Sequence, residues 1–161
     1  MAIKENYSIE ELDATDMQIL RLLSKNAKIT TKELAAKVNL SPSPVFERVK
    51  RLEANGFIKK HIAIIDAEKM GYGLIVFCNI KLKHHDKSIG LDFVADIMRL
   101  DEVVACYNIS GDFDFLLKVH AKDMKHYQDF VFNKLGSVNS IGSTHSTFVM
   151  YENKNTYNIN F

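Results

Sequence analysis

Proline occurs only twice in this sequence, at Pro42 and Pro44, and cysteine only twice, at Cys78 and Cys106. The cysteines are isolated, with no C-x-x-C pair. They read as half-buried free thiols in a reducing compartment, which points to the cytoplasm. Long hydrophobic runs are missing. The longest, such as residues 63–65 and 74–78, are far too short to cross a bilayer, so no membrane partner is expected. The opening MAIKENYSIEEL lacks an apolar h-region and a cleavage signature, so no secretory leader is expected. A nucleophile motif, a phosphate-cradling glycine loop and a pair of catalytic carboxylates are also absent, which argues against an enzyme. His84-His85-Asp86 lacks a third ligand at a recognisable spacing, so neither a metal nor another cofactor is expected.

What is present is the composition of a globular protein. The 161 residues are 47% hydrophobic and 25% charged, enough for one domain or two small ones. A net charge of +1 hides an asymmetry. Residues 25–60 carry nine Lys/Arg against three acids, whereas residues 61–161 carry ten against twelve. A basic N-terminal module beside a mildly acidic remainder fits a nucleic-acid partner, although a solvated helical surface gives the same count.

Periodicity divides the chain. Residues 13–56 have helical apolar spacing. Ile19, Leu20, Leu22 and Leu23 mark a first helix over 14–26, with Asp13 as its cap. Thr30-Thr31-Lys32-Glu33 is a capping box opening a short second helix that ends near Val38, with Asn39 placed for a left-handed turn. A third helix runs over 41–55 and stops at Gly56. With Ser41 as N-cap, Pro42 falls at N1 and Pro44 at N3, where no intrahelical amide bond is lost. The Ser41 hydroxyl is then expected to cap the Ser43 amide. After Phe57 the pattern alternates in twos. Strands are expected over 60–66, 74–82, 103–109, 114–121 and 141–151, and helices over 89–100 and 124–135. The tail, 152–161, is either disordered or tied down by Tyr157, Ile159 and Phe161.

The fold class that follows is α+β. An N-terminal (winged) helix-turn-helix over 1–60 leads through a strand and hinge linker over 61–73 into a ferredoxin-like βαββαβ domain over 74–161. In a helix-turn-helix the start of the last helix enters the DNA major groove. Val45, Val49 and Leu52 share the inward side of the third helix. Ser43, Glu47, Lys50, Arg51 and Ala54 lie opposite, Pro44 beside them and Arg48 at the margin. That side suits phosphates, base edges and thymine methyls, and equally suits an ordinary solvated surface.

The sequence resembles the leucine-responsive regulatory protein (Lrp/AsnC) family. The resemblance is carried by Leu12-Asp13, Asp16, Ile19-Leu20, Leu23, Glu33-Leu34-Ala35, Leu40-Ser41, Val45, Arg48-Val49, Leu52, Gly56 and Phe57-Ile58. Ala63, Asp66 and Gly71 of the hinge extend it, as do Ser110-Gly111-Asp112-Phe113-Asp114 and the last strand. Two places depart from the family pattern: Phe57, where a smaller aliphatic residue is usual, and Lys59-Lys60-His61, which would add phosphate contacts. The resemblance implies a cytoplasmic, nucleoid-associated transcription regulator. Its DNA contacts would be Ser41, Ser43, Pro44, Glu47, Arg48, Lys50 and Arg51. Its site would be a pseudo-palindromic double-stranded DNA, read by a homodimer or by an octamer or other closed assembly of dimers. It also implies a small amino-acid effector between dimers, at Ser110, Gly111, Asp112, Phe113 and Asp114, with Thr144 and Ser146 as a second wall. On residues alone, 110–114 reads as a hairpin turn. Some similar proteins are decarboxylases of haem-like tetrapyrroles. They would need cationic and histidine side chains converging on a pocket, and no such cluster is evident here.

Overall fold

The computed structural model describes residues 11–84 and 86–161. The leader-free reading of residues 1–10 and the His85 part of the histidine pair lie outside the described residues. The chain forms two compact units. One comprises the described residues up to Ile64 together with Thr156–Phe161, and the other is Ile65–Asn155.

The first unit has three helices: α1 (Ala14–Lys25), α2 (Thr31–Lys37) and α3 (Pro42–Ala54). Both expected caps are formed. Asp13 accepts from the Asp16 amide at 2.7 Å while Asp16 reaches back to the Asp13 amide. Thr30 and Glu33 make the reciprocal box that starts α2. Asn39 turns the chain at φ 55° and Gly56 leaves α3 at φ 78°, a conformation that glycine adopts without a Cβ penalty. Ile19, Leu34, Ala35, Val38, Val45 and Leu52 meet as one core.

One expectation at α3 fails. Ser41 is the N-cap residue, but its hydroxyl makes no capping hydrogen bond. With prolines at N1 and N3, the Ser43 amide is the donor left in the first turn, and Ser43 is exposed to water. The tail, open between two states, has contacts. Arg21 Nε donates to the Phe161 main-chain oxygen at 2.6 Å and its guanidinium lies 5.9 Å from the Phe161 ring centroid. Asn158 Nδ2 donates to the Ser24 carbonyl at 2.9 Å.

The second unit contains β1 (Leu74–Leu82), α4 (Lys87–Ile97), β2 (Val103–Asn108), β3 (Phe115–Ala121), α5 (Met124–Asp129) and β4 (Ile141–Phe148). The turns Phe130–Lys134 and Leu135–Ser137 continue α5 with wider and then tighter winding. The sheet order is β2-β3-β1-β4, antiparallel throughout, as a ferredoxin-like plan requires. Val76, Cys78, Ile80 and Leu82 of β1 are buried in a core that also holds Leu117 and Val119 of β3, Phe93 and Ile97 of α4, and Phe130 after α5.

The strand expected over 60–66 is not formed. Its alternating isoleucines are real, yet Ile62, Ile64 and Ile65 are 55–67% exposed. A strand exists only through a neighbour's hydrogen bonds, and no described segment of the same chain pairs with this one. β4 likewise stops before the expected 151, because its partner β1 begins at Leu74; Phe148 pairs with Val76 and one last bond joins the Val149 amide to the Ile75 carbonyl. Helix α4 starts two residues earlier than expected because Asp86 caps it by accepting from the Ser88 amide at 2.8 Å.

Candidate functional site

Helix α3 places the expected DNA-contacting residues on one element. Ser41, Ser43, Pro44, Glu47, Lys50 and Arg51 are exposed, and Val45 and Leu52 point inward. Arg48 is different. Its Nη1 lies 2.6 Å from Asp13 Oδ2 and 2.8 Å from Asp16 Oδ1, and its side chain is only 27% exposed. Hydrogen bonding to Asp16 and then to Asp13 holds the guanidinium above its ordinary range. The amide of Asp16 is the main cause of the lowered pKa of the Asp13 carboxyl. Arg51 Nη2 reaches the other Asp16 oxygen at 2.6 Å and remains half exposed. Two of the four candidate charged residues on α3 therefore also brace it against α1.

Sequence reasoning passed over Phe46. It is 47% exposed on α3, with the Lys50 ammonium 4.5 Å from its ring centroid. The available signal was its helical position, one turn before Lys50 and outside the inward stripe of Val45, Val49 and Leu52.

In the second unit, the turn between β2 and β3 is tied to the sheet through Asp114. The Asp114 amide donates to Ile80, its carbonyl accepts from Ile109 and Asn108, and its Oδ2 accepts from the Leu82 amide at 2.7 Å. Gly111 makes the turn at φ 115°. Ser110, Gly111 and Asp112 are exposed, and the Phe113 ring lies 6.3 Å from that of His145. Thr144 pairs with Ile80 across the sheet and is exposed. Ser146 is occupied internally: its hydroxyl is 2.5 Å from that of Tyr127, which is 3.1 Å from Cys78 Sγ. Burial pushes the Tyr127 hydroxyl well above its ordinary pKa and raises that of the Cys78 thiol. Beside the turn is an open cleft of about 370 Å³, bordered by Asp86, Lys87, Leu91, Val94, Asn108 and Asp114. Of the expected effector residues, Asp114 alone borders it. The cleft's mixture of carboxylates, an ammonium, an amide, three aliphatic side chains and the Phe115 ring suits a small zwitterion. Among the described residues, no three His, Cys, Asp or Glu side chains are grouped to hold a metal, and no helix is long and apolar enough to cross a membrane.

The architecture is that of a helix-turn-helix protein carrying a second, ligand-binding domain. Residues 12–59 match the winged helix-turn-helix DNA-binding family and residues 75–159 match the Lrp/AsnC ligand binding domain. A leucine-responsive regulatory protein from Haemophilus influenzae is 39% identical over 90% of this chain and 87% of its own length. A transcriptional regulator from Neisseria meningitidis, solved in complex with L-Met, superposes with a TM-score of 0.88 at 34% identity, over 92% of this chain and 96% of that one. AsnC from Escherichia coli superposes at 0.82 with 27% identity, over 89% and 95%.

The chain belongs to the Lrp/AsnC family of transcription regulators. It is a DNA-binding regulator with a ligand-binding domain, not an enzyme.

Proposed function

We propose that the protein acts as a homodimer, or a closed assembly of dimers, that reads a pseudo-palindromic duplex with α3 and answers to a small amino acid. The observation that carries the DNA half is the outward side of α3. Ser41, Ser43 and Pro44 stand in solvent at the end of the helix that a groove would receive, and Glu47, Lys50 and Arg51 are exposed further along it. Pro42 and Pro44 set that end without sacrificing an intrahelical bond. Two copies related by a dyad would address half-sites roughly 34 Å apart or a multiple of it. Dimerisation is supported by the sheet, whose core lies on the side of α4 and α5. The other face carries Phe77, Leu116, Tyr107 and His145, and Tyr107 is 54% exposed.

The amino-acid half rests on the turn at 110–114 and the cleft beside it. The Neisseria relative was solved with L-Met, which makes a small amino acid the first class to test. Exposed backbone at Ser110, Gly111 and Asp112 offers amides to a carboxylate, and Asp112 offers an acceptor to an ammonium group. An effector of this kind would shift assembly or DNA affinity by about 1–3 kcal/mol.

Footprinting on sites selected from a random duplex pool tests the first half. Discrete, dyad-spaced protection is expected, and uniform coverage would instead mark a DNA-compacting protein. A thermal-shift screen of the twenty amino acids, with light scattering on any hit, tests the second. No shift at millimolar ligand would remove the effector and leave the DNA reading standing.

A further inference from the structure

Phe46 is in an unusual place. A large aromatic ring, 47% exposed, stands on the helix that meets DNA, in its second turn. Its neighbours Ser43, Pro44, Glu47 and Lys50 are all exposed. Lys50, one turn further on, holds its ammonium 4.5 Å from the ring centroid. At this distance the face of the ring attracts the cation and restricts where a long side chain can point.

Two complementary surfaces result: an apolar ring edge and, next to it, a positioned cation. The major groove offers the matching pair. Thymine alone presents a methyl group there, and guanine presents the two acceptors N7 and O6. A protein partner would also accept an exposed phenyl ring. The cation held against the ring, on the outward side of α3 about two turns beyond the prolines, favours a base step over an apolar protein groove.

We infer that Phe46 and Lys50 form a reading pair for a thymine adjacent to a guanine. The Phe46 ring packs on the thymine methyl, and the Lys50 ammonium, held by the ring, bonds to the guanine acceptors. The inference rests on the reading of α3 as the DNA-entering helix.

The test needs the full-length protein and chemically altered duplexes. A binding site is first selected from a random pool with the unaltered protein. Each thymine is then replaced by uracil, which removes only the methyl, and each guanine by 7-deazaguanine, which removes only N7. One thymine per half-site should show a loss of about fourfold on replacement by uracil, the worth of one buried methyl. Phe46→Ala should bind the thymine and uracil duplexes equally. Lys50→Ala should lose sensitivity to the neighbouring 7-deazaguanine while keeping sensitivity to uracil. The proposal is overturned if uracil has no effect at any position, or if Phe46→Ala is as sensitive to uracil as the unaltered protein. The base replacements alter only DNA, so the first of these outcomes is independent of how any variant folds. If the unaltered protein selects no site at all, the DNA-entering role of α3 falls, a result distinct from selection without methyl sensitivity.

Discussion

Arg51 Nη2 lies 2.6 Å from Asp16 Oδ2, and the Asp16 side chain is 1% exposed. The same carboxylate receives Arg48 through its other oxygen at 2.8 Å. A buried acid on α1 thus orients two cations of α3, residues that outward charge alone would assign wholly to DNA. A carboxylate so far from water needs such partners, because an unpaired buried charge is strongly unfavourable.

Asp16→Ala is expected to destabilise the three-helix unit by about 2–3 kcal/mol. That lies at or below the range for breaking a buried pair, because Arg51 is half exposed and solvent screens it. Urea unfolding monitored by far-UV circular dichroism measures this. An unchanged midpoint would mean that the two ion pairs contribute nothing to stability.

Lys50→Ala and Arg48→Ala should separate by salt dependence. Lys50 is exposed and has no carboxylate partner among the described ion pairs, so its removal should lower the slope of log K against log salt by about 1 with the melting temperature held. Arg48→Ala should lower the melting temperature first, since it releases both Asp13 and Asp16. Fluorescence anisotropy across salt, paired with thermal melts, reads both quantities.

The helix caps give a contrast within one domain. Thr30→Ala removes a formed capping box and should cost about 1 kcal/mol. Ser41→Ala removes a hydroxyl that caps nothing and should cost a few tenths at most. Equal losses in chemical denaturation would contradict the difference between the two helix starts.

Acid should loosen the second unit through Glu102, which is 7% exposed. Burial pushes its carboxyl up, but the Lys134 ammonium at 2.6 Å, backbone hydrogen bonding and the nearby His126 together bring it below its ordinary value of 4.5. Its stabilisation is therefore present above pH 4.5 and lost as pH falls through the lowered value. Lys134 moves the other way: its hydrogen bond to Glu102 raises it above 10.5, so its contribution is lost only as pH rises past that raised value. Melting temperature should hold across neutral pH and fall below about pH 4.5. Glu102→Gln should flatten the acid limb in the same calorimetric series.

Local signals in this sequence were reliable where the physics is local. The Thr30–Glu33 box, the Asn39 turn and the alternation of Leu74–Leu82 act within a few residues, and each stands where the sequence placed it. Residues 60–66 show the limit, since alternation marks a chain ready to pair but does not supply the partner. The Asp16–Arg48 bond joins positions 32 apart, and no periodicity reports a contact of that span. Ser41 shows another limit: Pro44 offers the Ser41 hydroxyl no amide donor, and Ser43, which has one, is exposed. At the turn over 110–114 the sequence marked Asp112 and Asp114 alike, whereas hydrogen bonding commits Asp114 to the Leu82 amide and leaves Asp112 in solvent.

The attachment of residues 156–161 to the three-helix unit also sets an order of synthesis. The helices that bury Ile19, Leu34, Val45 and Leu52 are complete before residue 65 is made, yet Asn158 and Phe161 arrive only after all of Ile65–Asn155. At about 5–20 residues per second, roughly 7–27 s of synthesis separate the completion of α1 from that of the residues that Ser24 and Arg21 meet. The unit that starts the chain is thus the last to be finished, after the sheet has received its final strand.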